Sequence, residues 1–197
     1  MIYIGIDPAF RKNGFRICVI NKLGMSAEPN TMNFHNCDGV ADCFRILDMY
    51  SNRYPEFLTV VVIENSNLQN ASFDLTGTRA EIARKARNVG ANQAVSQIVS
   101  DYCTEIFGAD QVFPISPKDK GSKLDEAKAK LLAKELQVTY TAISQDDRDA
   151  LKLAWLGYNL TRMQKQKKTN LTRPKYNSRI FVVKLNKDAE EAHNIKT

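Results

Sequence analysis

Four carboxylates in this sequence stand where separate elements could bring them together. Asp7 follows the β-type run Ile2–Ile6, and Glu64 follows the run Thr59–Ile63, so both are predicted to end strands. Asp146 and Asp149 open a predicted helix, and residues three apart share one helix face. In an open α/β sheet, ligands bind where strand ends meet helix starts, so the four side chains are candidates for one site.

Carboxylates that gather in one place need a counter-charge. Like charges a few ångströms apart raise each other's pKa unless a cation offsets them, and hard divalent cations prefer oxygen ligands. The acids therefore predict Mg²⁺ or Mn²⁺, and two such ions about 3.5–4 Å apart can clamp both the attacking and the leaving oxygen of a phosphoryl displacement. The pattern indicates phosphodiester hydrolysis, with these four acids as catalytic residues and metal ligands: Asp7, Glu64, Asp146 and Asp149.

Most of the acids also have a purely structural interpretation. Asp7 before Pro8 suits a turn, and carboxylates in a first helical turn complement the helix macrodipole. Ser144-Gln-Asp-Asp147 fits a capping box, so Asp147 is predicted to point away from the site. Glu64 is harder to explain this way, because a carboxylate directly after a buried β-branched run needs a partner.

The elements that must hold these acids follow an α/β pattern. Strands come first, with the first two predicted as a hairpin, and helices then alternate with strands, which predicts a mixed sheet flanked by helices. The uniformly β-branched run Thr59–Ile63 suits the buried centre of that sheet. Strands are predicted over 2–6, 15–20, 31–34, 59–63 and 111–115, with one more short strand over 179–185, and helices over 40–50, 76–107, 124–136 and 146–163.

Composition places the chain among ordinary globular proteins. It has 197 residues, 43% hydrophobic and 25% charged, which excludes collagen-like, low-complexity and wholly disordered classes. The longest clean apolar run, Val60–Ile63, is far shorter than the roughly 20 residues that span a bilayer, and the N-terminus lacks an export signal. A cytoplasmic protein without a membrane span is expected. The four cysteines are predicted as free thiols, and His35, Cys37 and Cys43 miss the usual zinc spacings.

The positive charge is concentrated near the C-terminus. The whole chain carries +6, but residues 1–161 hold 18 Lys/Arg against 19 Asp/Glu, whereas residues 162–187 hold nine basic residues and no acid. This predicts a domain over 1–163 and a basic extension over 164–197. The extension suits an arm that binds a polyanion, because basic side chains release counterions from phosphates, and it equally suits a solvated tail.

Three motifs stand in order along the chain: Gly5-Ile-Asp7-Pro8-x-x-Arg11-x-x-Gly14-Phe15, Val62-Ile-Glu64 and Asp146-x-x-Asp149-Ala-Leu151. They resemble the motifs of the RuvC-type Holliday-junction resolvases, which are metal-dependent endonucleases with a ribonuclease H-like fold. The resemblance covers most of residues 1–163 and implies an Mg-dependent endodeoxyribonuclease with two Mg²⁺ per active site. It also implies four-way branched DNA as substrate, a homodimer that uses the helix around Gly90, and branch-migration or recombination proteins as partners. Simple core packing is the other interpretation of that helix.

The resemblance also suggests DNA contacts, with one departure. The family has an aromatic wedge soon after the glutamate, but Glu64 is followed here by Asn65-Ser-Asn67, which leaves Phe73 as the candidate. Lysines after the fifth strand stand where the family contacts phosphate. The predicted DNA-binding residues are Arg11, Phe73, Lys118, Lys120 and Lys123, with Lys165, Lys167 and Lys168 from the extension.

Two other functions remain open on the sequence alone. One is a different ribonuclease H-like nuclease that acts on flaps, branches or RNA–DNA hybrids. The other is a non-catalytic DNA-binding module of the same fold, which the presence of all four acids disfavours. An actin-like ATPase also opens with Gly-Ile-Asp, but Arg11-Lys-Asn13 replaces the small-residue phosphate loop, and the chain is too short for two such lobes.

Overall fold

The computed structural model describes residues 1–10, 15–22, 30–68 and 76–168, with side chains up to residue 163. These ranges contain five strands, five helices and a short 3-10 turn at Ser66–Leu68. The strands are β1 (Ile2–Asp7), β2 (Phe15–Asn21), β3 (Thr31–Cys37), β4 (Thr59–Glu64) and β5 (Val112–Ile115). The helices are α1 (Val40–Arg53), α2 (Arg79–Phe107), α3 (Pro117–Lys120), α4 (Glu126–Leu136) and α5 (Gln145–Lys168).

The strands form one mixed sheet in the order β3-β2-β1-β4-β5. β2 pairs with β1 and β3 in antiparallel fashion, whereas β4 pairs with β1 and β5 in parallel. Ile4 lies at the centre, opposite Val19 on one side and Val61 on the other. The predicted α/β fold, a ribonuclease H-like mixed sheet flanked by helices, is confirmed, as is the hairpin of the first two strands.

The two faces of the sheet pack against different hydrophobic clusters. Ile4 and Ile6 pack with residues of α1 and α2, among them Leu47 and Val99. Tyr3 faces the other way and packs with residues of α4 and α5, including Ala129, Ala133, Ala150 and Leu151. Neighbouring strand residues point to opposite faces, and helices cover both faces. β1 is therefore almost fully buried along its length.

Helix α5 crosses β1 at backbone contact, and a glycine makes that possible. A Cβ atom at Gly5 would lie 2.2 Å from the carbonyl oxygen of Ala150 and 2.3 Å from the amide nitrogen of Ala154. Gly157 lies against β4 in a similar way, with a Cβ there 3.3 Å from methyl carbons of Val60 and Val62. The glycine of the Gly-Ile-Asp motif is therefore required by packing, two residues before the acid.

Two features differ from the sequence prediction. Helix α5 continues to Lys168, past the predicted end at Met163, and a single-turn helix, α3, occupies the stretch expected to be loop. The Ser116 hydroxyl begins α3 by accepting a hydrogen bond from the Asp119 amide at 3.1 Å. The predicted strand over 179–185 lies outside the described residues. The four cysteines are free, as predicted, and all four are buried. None of the helices in the described ranges is long and apolar enough to cross a membrane.

Candidate active site

The first two acids lie side by side because of strand alternation. Gly5 and Asp7 share one face of β1, and Val62 and Glu64 share the same face of the adjacent parallel strand β4, where Gly5 pairs with Val62. This is the face that α5 covers. Both carboxylates therefore lie at the carboxyl ends of the two central parallel strands and beneath the start of α5, and each side chain is only 18% exposed.

Helix α5 supplies the third acid. Asp149 precedes Ala150, whose carbonyl contacts Gly5, so the close crossing of helix and strand also sets the position of Asp149 over the strand ends. The Asp149 side chain is buried, and its Oδ1 atom accepts a hydrogen bond from Gln145 Nε2 at 3.0 Å. Its other oxygen, Oδ2, faces a residue that lies between Asp149 and the other two acids.

That residue is Lys120, the last residue of α3. Its Nζ atom donates a hydrogen bond to Asp7 Oδ2 at 3.2 Å, forms a close ion pair with Glu64 Oε2, and lies 4.0 Å from Asp149 Oδ2. The Lys120 side chain is 12% exposed. One ammonium group thus lies among three carboxylates that come from β1, β4 and α5, and we call these four residues the acidic cluster.

The pKa values in the acidic cluster reflect its burial and the fact that one ammonium group faces three carboxylates. Burial raises the pKa of Asp7 to about 7, the Lys120 charge opposes that rise, and the neighbouring Glu64 carboxylate adds to it. Burial alone lowers the pKa of the Lys120 ammonium, but Asp7, Glu64 and Asp149 together outweigh burial and raise it. Three acids against one ammonium leave room for more positive charge.

The three acids of the acidic cluster suit a hard divalent cation. Three carboxylates form an all-oxygen donor set, and the buried Glu64 Oε2 has no hydrogen-bond partner apart from its contact with Lys120. In the described part of the chain, however, no group of three or more His, Cys, Asp or Glu side chains is arranged to hold a metal as it stands. The ammonium lies in the space between the acids.

The structure does not bring Asp146 into the acidic cluster. Asp146 is exposed at the first turn of α5, and no ion pair or hydrogen bond within the described ranges joins its side chain to the other acids. Asp147 takes the predicted capping position, because its Oδ2 accepts from the Ser144 hydroxyl at 2.6 Å and its amide donates to that hydroxyl. Asp147 also forms an ion pair with Arg16 of β2 at 3.0 Å, a contact that the sequence pattern did not predict.

Two loops beside the site are held by helix α2. The Phe10 amide donates to Asn92 Oδ1 at 2.9 Å, and Asn67 Nδ2 donates to the Gln93 carbonyl oxygen at 2.7 Å. Asn65 is buried and accepts from the Asn67 amide at 2.9 Å. The segment Asn65–Asn67 therefore attaches the end of β4 to α2. Phe10, to which the sequence pattern assigned no role, is 62% exposed.

The predicted DNA contacts are distributed unevenly. Lys118 and Lys123 are exposed near the acidic cluster, whereas Lys120 was predicted to contact phosphate and is instead directed into the carboxylates. Arg11 and Phe73 lie outside the described residues. The side chains of Lys165, Lys167 and Lys168 also lie outside them, although their backbone continues α5. Arg162, the first of the nine basic residues in 162–187, forms an ion pair with Glu135 of α4 at 2.6 Å.

Solved structures similar to this chain include two of RuvC from Thermus thermophilus. One is 16% identical, covers 83% of this chain and 97% of that chain, and superposes with a TM-score of 0.49. The other, RuvC in complex with a Holliday junction substrate, is 19% identical, covers 83% of this chain and 96% of that chain, and has a TM-score of 0.48. No protein-family model and no curated protein matches the sequence. The fold assignment rests on the strand order and register of this chain.

Proposed function

We propose that this protein is a divalent-metal-dependent endonuclease that cleaves phosphodiester bonds in branched DNA, with four-way junctions as its substrate. The observation that carries the proposal is the convergence of Asp7, Glu64 and Asp149 from three separate elements at the carboxyl ends of the central strands. Buried carboxylates at such a point destabilise the fold unless they bind cations, which is a reason to expect a function there.

Asp7, Glu64 and Asp149 would hold one Mg²⁺ or Mn²⁺ ion. A second ion would also need Asp146, which lies one turn before Asp149 and is exposed outside the acidic cluster. Bound Mg²⁺ would supply an activated water and charge stabilisation at the leaving 3′ oxygen, giving 5′-phosphate and 3′-hydroxyl ends. Gln145 holds Asp149 Oδ1 at 3.0 Å, so it orients this carboxylate toward the other acids. The α5–Gly5 contact sets the position of Asp149 relative to Asp7.

The proposed DNA interface surrounds the acidic cluster. Exposed Lys118 and Lys123 would contact phosphates near the scissile bond, and the basic extension would contact the duplex further away. We also propose a homodimer, because symmetric incision of two opposed strands needs two active sites related by a two-fold axis. Sedimentation that showed a monomer both alone and on junction DNA would contradict paired incision.

The test is incubation with synthetic four-way, flap and RNA–DNA hybrid substrates, with and without Mg²⁺. We expect cleavage of the four-way junction only with the metal. Asp7→Asn should reduce turnover by orders of magnitude and leave DNA binding intact, because it removes a metal ligand and no basic side chain. Asp125→Asn is the matched control, since Asp125 is an exposed cap of α4 outside the acidic cluster. Junction cleavage by Asp7→Asn at the parent rate would refute the proposal.

One observation favours a second candidate function. The Lys120 ammonium already occupies the space between the acids, as it would in a DNA-binding module that has lost metal binding. Such a module would bind junctions in EDTA and would cut none of the three substrates, with or without Mg²⁺.

A further inference from the structure

Lys120 occupies the position that a bridging cation would need. A metal ion in contact with Asp7 Oδ2, Glu64 Oε2 and Asp149 Oδ2 would lie between these atoms, and Lys120 Nζ is within 4.0 Å of all three. A divalent cation and an ammonium group at that separation repel each other strongly, and the buried surroundings screen the repulsion poorly. The two cations therefore compete for one place.

The position of Lys120 in the chain allows its ammonium to leave. The residue ends a single-turn helix, and the next residue, Gly121, has a left-handed backbone with φ of 73°. Gly121, Ser122 and Lys123 are exposed, so solvent lies directly beyond the end of α3. A lysine side chain is a compact charge on a flexible four-carbon stem, and it can exchange a carboxylate partner for water or a phosphate without moving the sheet.

We propose that the Lys120 ammonium is an internal competitor for the divalent cation: it holds the acidic cluster together in the metal-free protein, and a metal ion enters only when this side chain withdraws. The inference rests on the proposed function, because it presupposes that the acids bind a metal. Its consequence is that apparent metal affinity falls in proportion to the time that Lys120 spends among the acids.

The experiment measures Mn²⁺ binding by calorimetry on the full-length protein at pH 8, without DNA. If Lys120 occupies the cluster about nine-tenths of the time, Lys120→Met should bind Mn²⁺ about tenfold more tightly than the parent. Asp7→Asn added to Lys120→Met should abolish the gain, which would locate the ion at the acids. Lys134→Met is the control and should leave Mn²⁺ affinity unchanged, because Lys134 is exposed on the last turn of α4.

Lys120→Arg gives a second, independent test if Lys120→Met folds poorly. It retains the positive charge, so we expect Mn²⁺ affinity no higher than that of the parent. Tighter binding by Lys120→Arg, or no gain in Lys120→Met, would overturn the inference. A parent that cuts junctions in Mg²⁺ while Lys120→Met shows no gain refutes the competition alone. A parent and Lys120→Met that both fail to bind Mn²⁺, with no cleavage by the parent, refute the proposed function as well.

Discussion

Replacement of Gly5 by alanine should damage the fold and the site together. The added Cβ atom would lie 2.2 Å from the Ala150 carbonyl oxygen and 2.3 Å from the Ala154 amide nitrogen, and ordinary contact begins at 3.4 Å. Helix α5 must therefore withdraw from β1 by about 1 Å. No side-chain rotation can relieve the contact, because the two nearest atoms belong to the helix backbone and the third, Leu153 Cβ at 2.9 Å, is fixed to it.

The magnitude follows from these distances. Overpacking of a well-packed core costs about 1–3 kcal/mol, and two backbone clashes place Gly5→Ala at the upper end, about 3 kcal/mol. For a chain of 197 residues this corresponds to a melting temperature lower by roughly 6–12 °C. Withdrawal of α5 also moves Asp149 away from Asp7, and a displacement of about 1 Å in a catalytic group can reduce turnover about 100-fold.

The assays are thermal denaturation and single-turnover cleavage of a four-way junction. Gly39→Ala is the matched control, since nothing lies within 4 Å of a Cβ at Gly39, the N-cap of α1, and its φ of 169° is open to any residue. It should lower the free energy of unfolding by at most about 1 kcal/mol, because alanine is a somewhat poorer N-cap than glycine. If Gly5→Ala melted within a degree of the parent, the close crossing of α5 over β1 would be refuted. If it were destabilised and yet cut at the parent rate, the position of Asp149 would not matter to the reaction.

Three further changes have defined outcomes. Asp147→Asn should lower the free energy of unfolding by about 2 kcal/mol in urea denaturation, because it weakens both the cap of α5 and the ion pair with Arg16; a loss below about 0.5 kcal/mol would show that neither contact contributes. Phe10→Ala should weaken junction binding by roughly 1–3 kcal/mol in fluorescence anisotropy if this exposed ring stacks on an unpaired base. Phe10→Trp retains an aromatic ring and should bind like the parent, and equal affinity in all three proteins would exclude stacking. Truncation after Met163 should reduce the slope of log affinity against log salt by about 0.9 for each phosphate that the extension neutralises, and an unchanged slope would mean that it neutralises none.

The placement of the acids could be predicted where local geometry determines it. Strand alternation alone puts Asp7 and Glu64 on the face that carries Gly5, and parallel pairing brings their strand ends together. The capping role of Asp147 was predictable for the same reason, since a capping box involves only four consecutive residues. In both cases the relevant contacts are set by backbone periodicity.

The remaining features depend on contacts between distant segments. Lys120 lies 113 residues from Asp7 in sequence, and its ammonium reaches the acids because α3 begins at the Ser116 cap and ends beside β4. No periodic pattern contains that information. Asp146 shows the opposite limit, since a spacing of three residues puts it on the side of α5 that Asp149 occupies, yet Asp146 itself is exposed. A shared helix face therefore does not guarantee a shared site.

The late position of α5 in the chain has a consequence for synthesis of the protein. Asp7 and Glu64 emerge from the ribosome early, but Asp149 and the helix that covers Gly5 follow 142 residues after Asp7. At about 5–20 residues per second, that interval is on the order of ten seconds. A nascent chain of this protein therefore carries an uncovered sheet face and an incomplete set of acids, and the acidic cluster can form only after nearly the whole described domain has been translated.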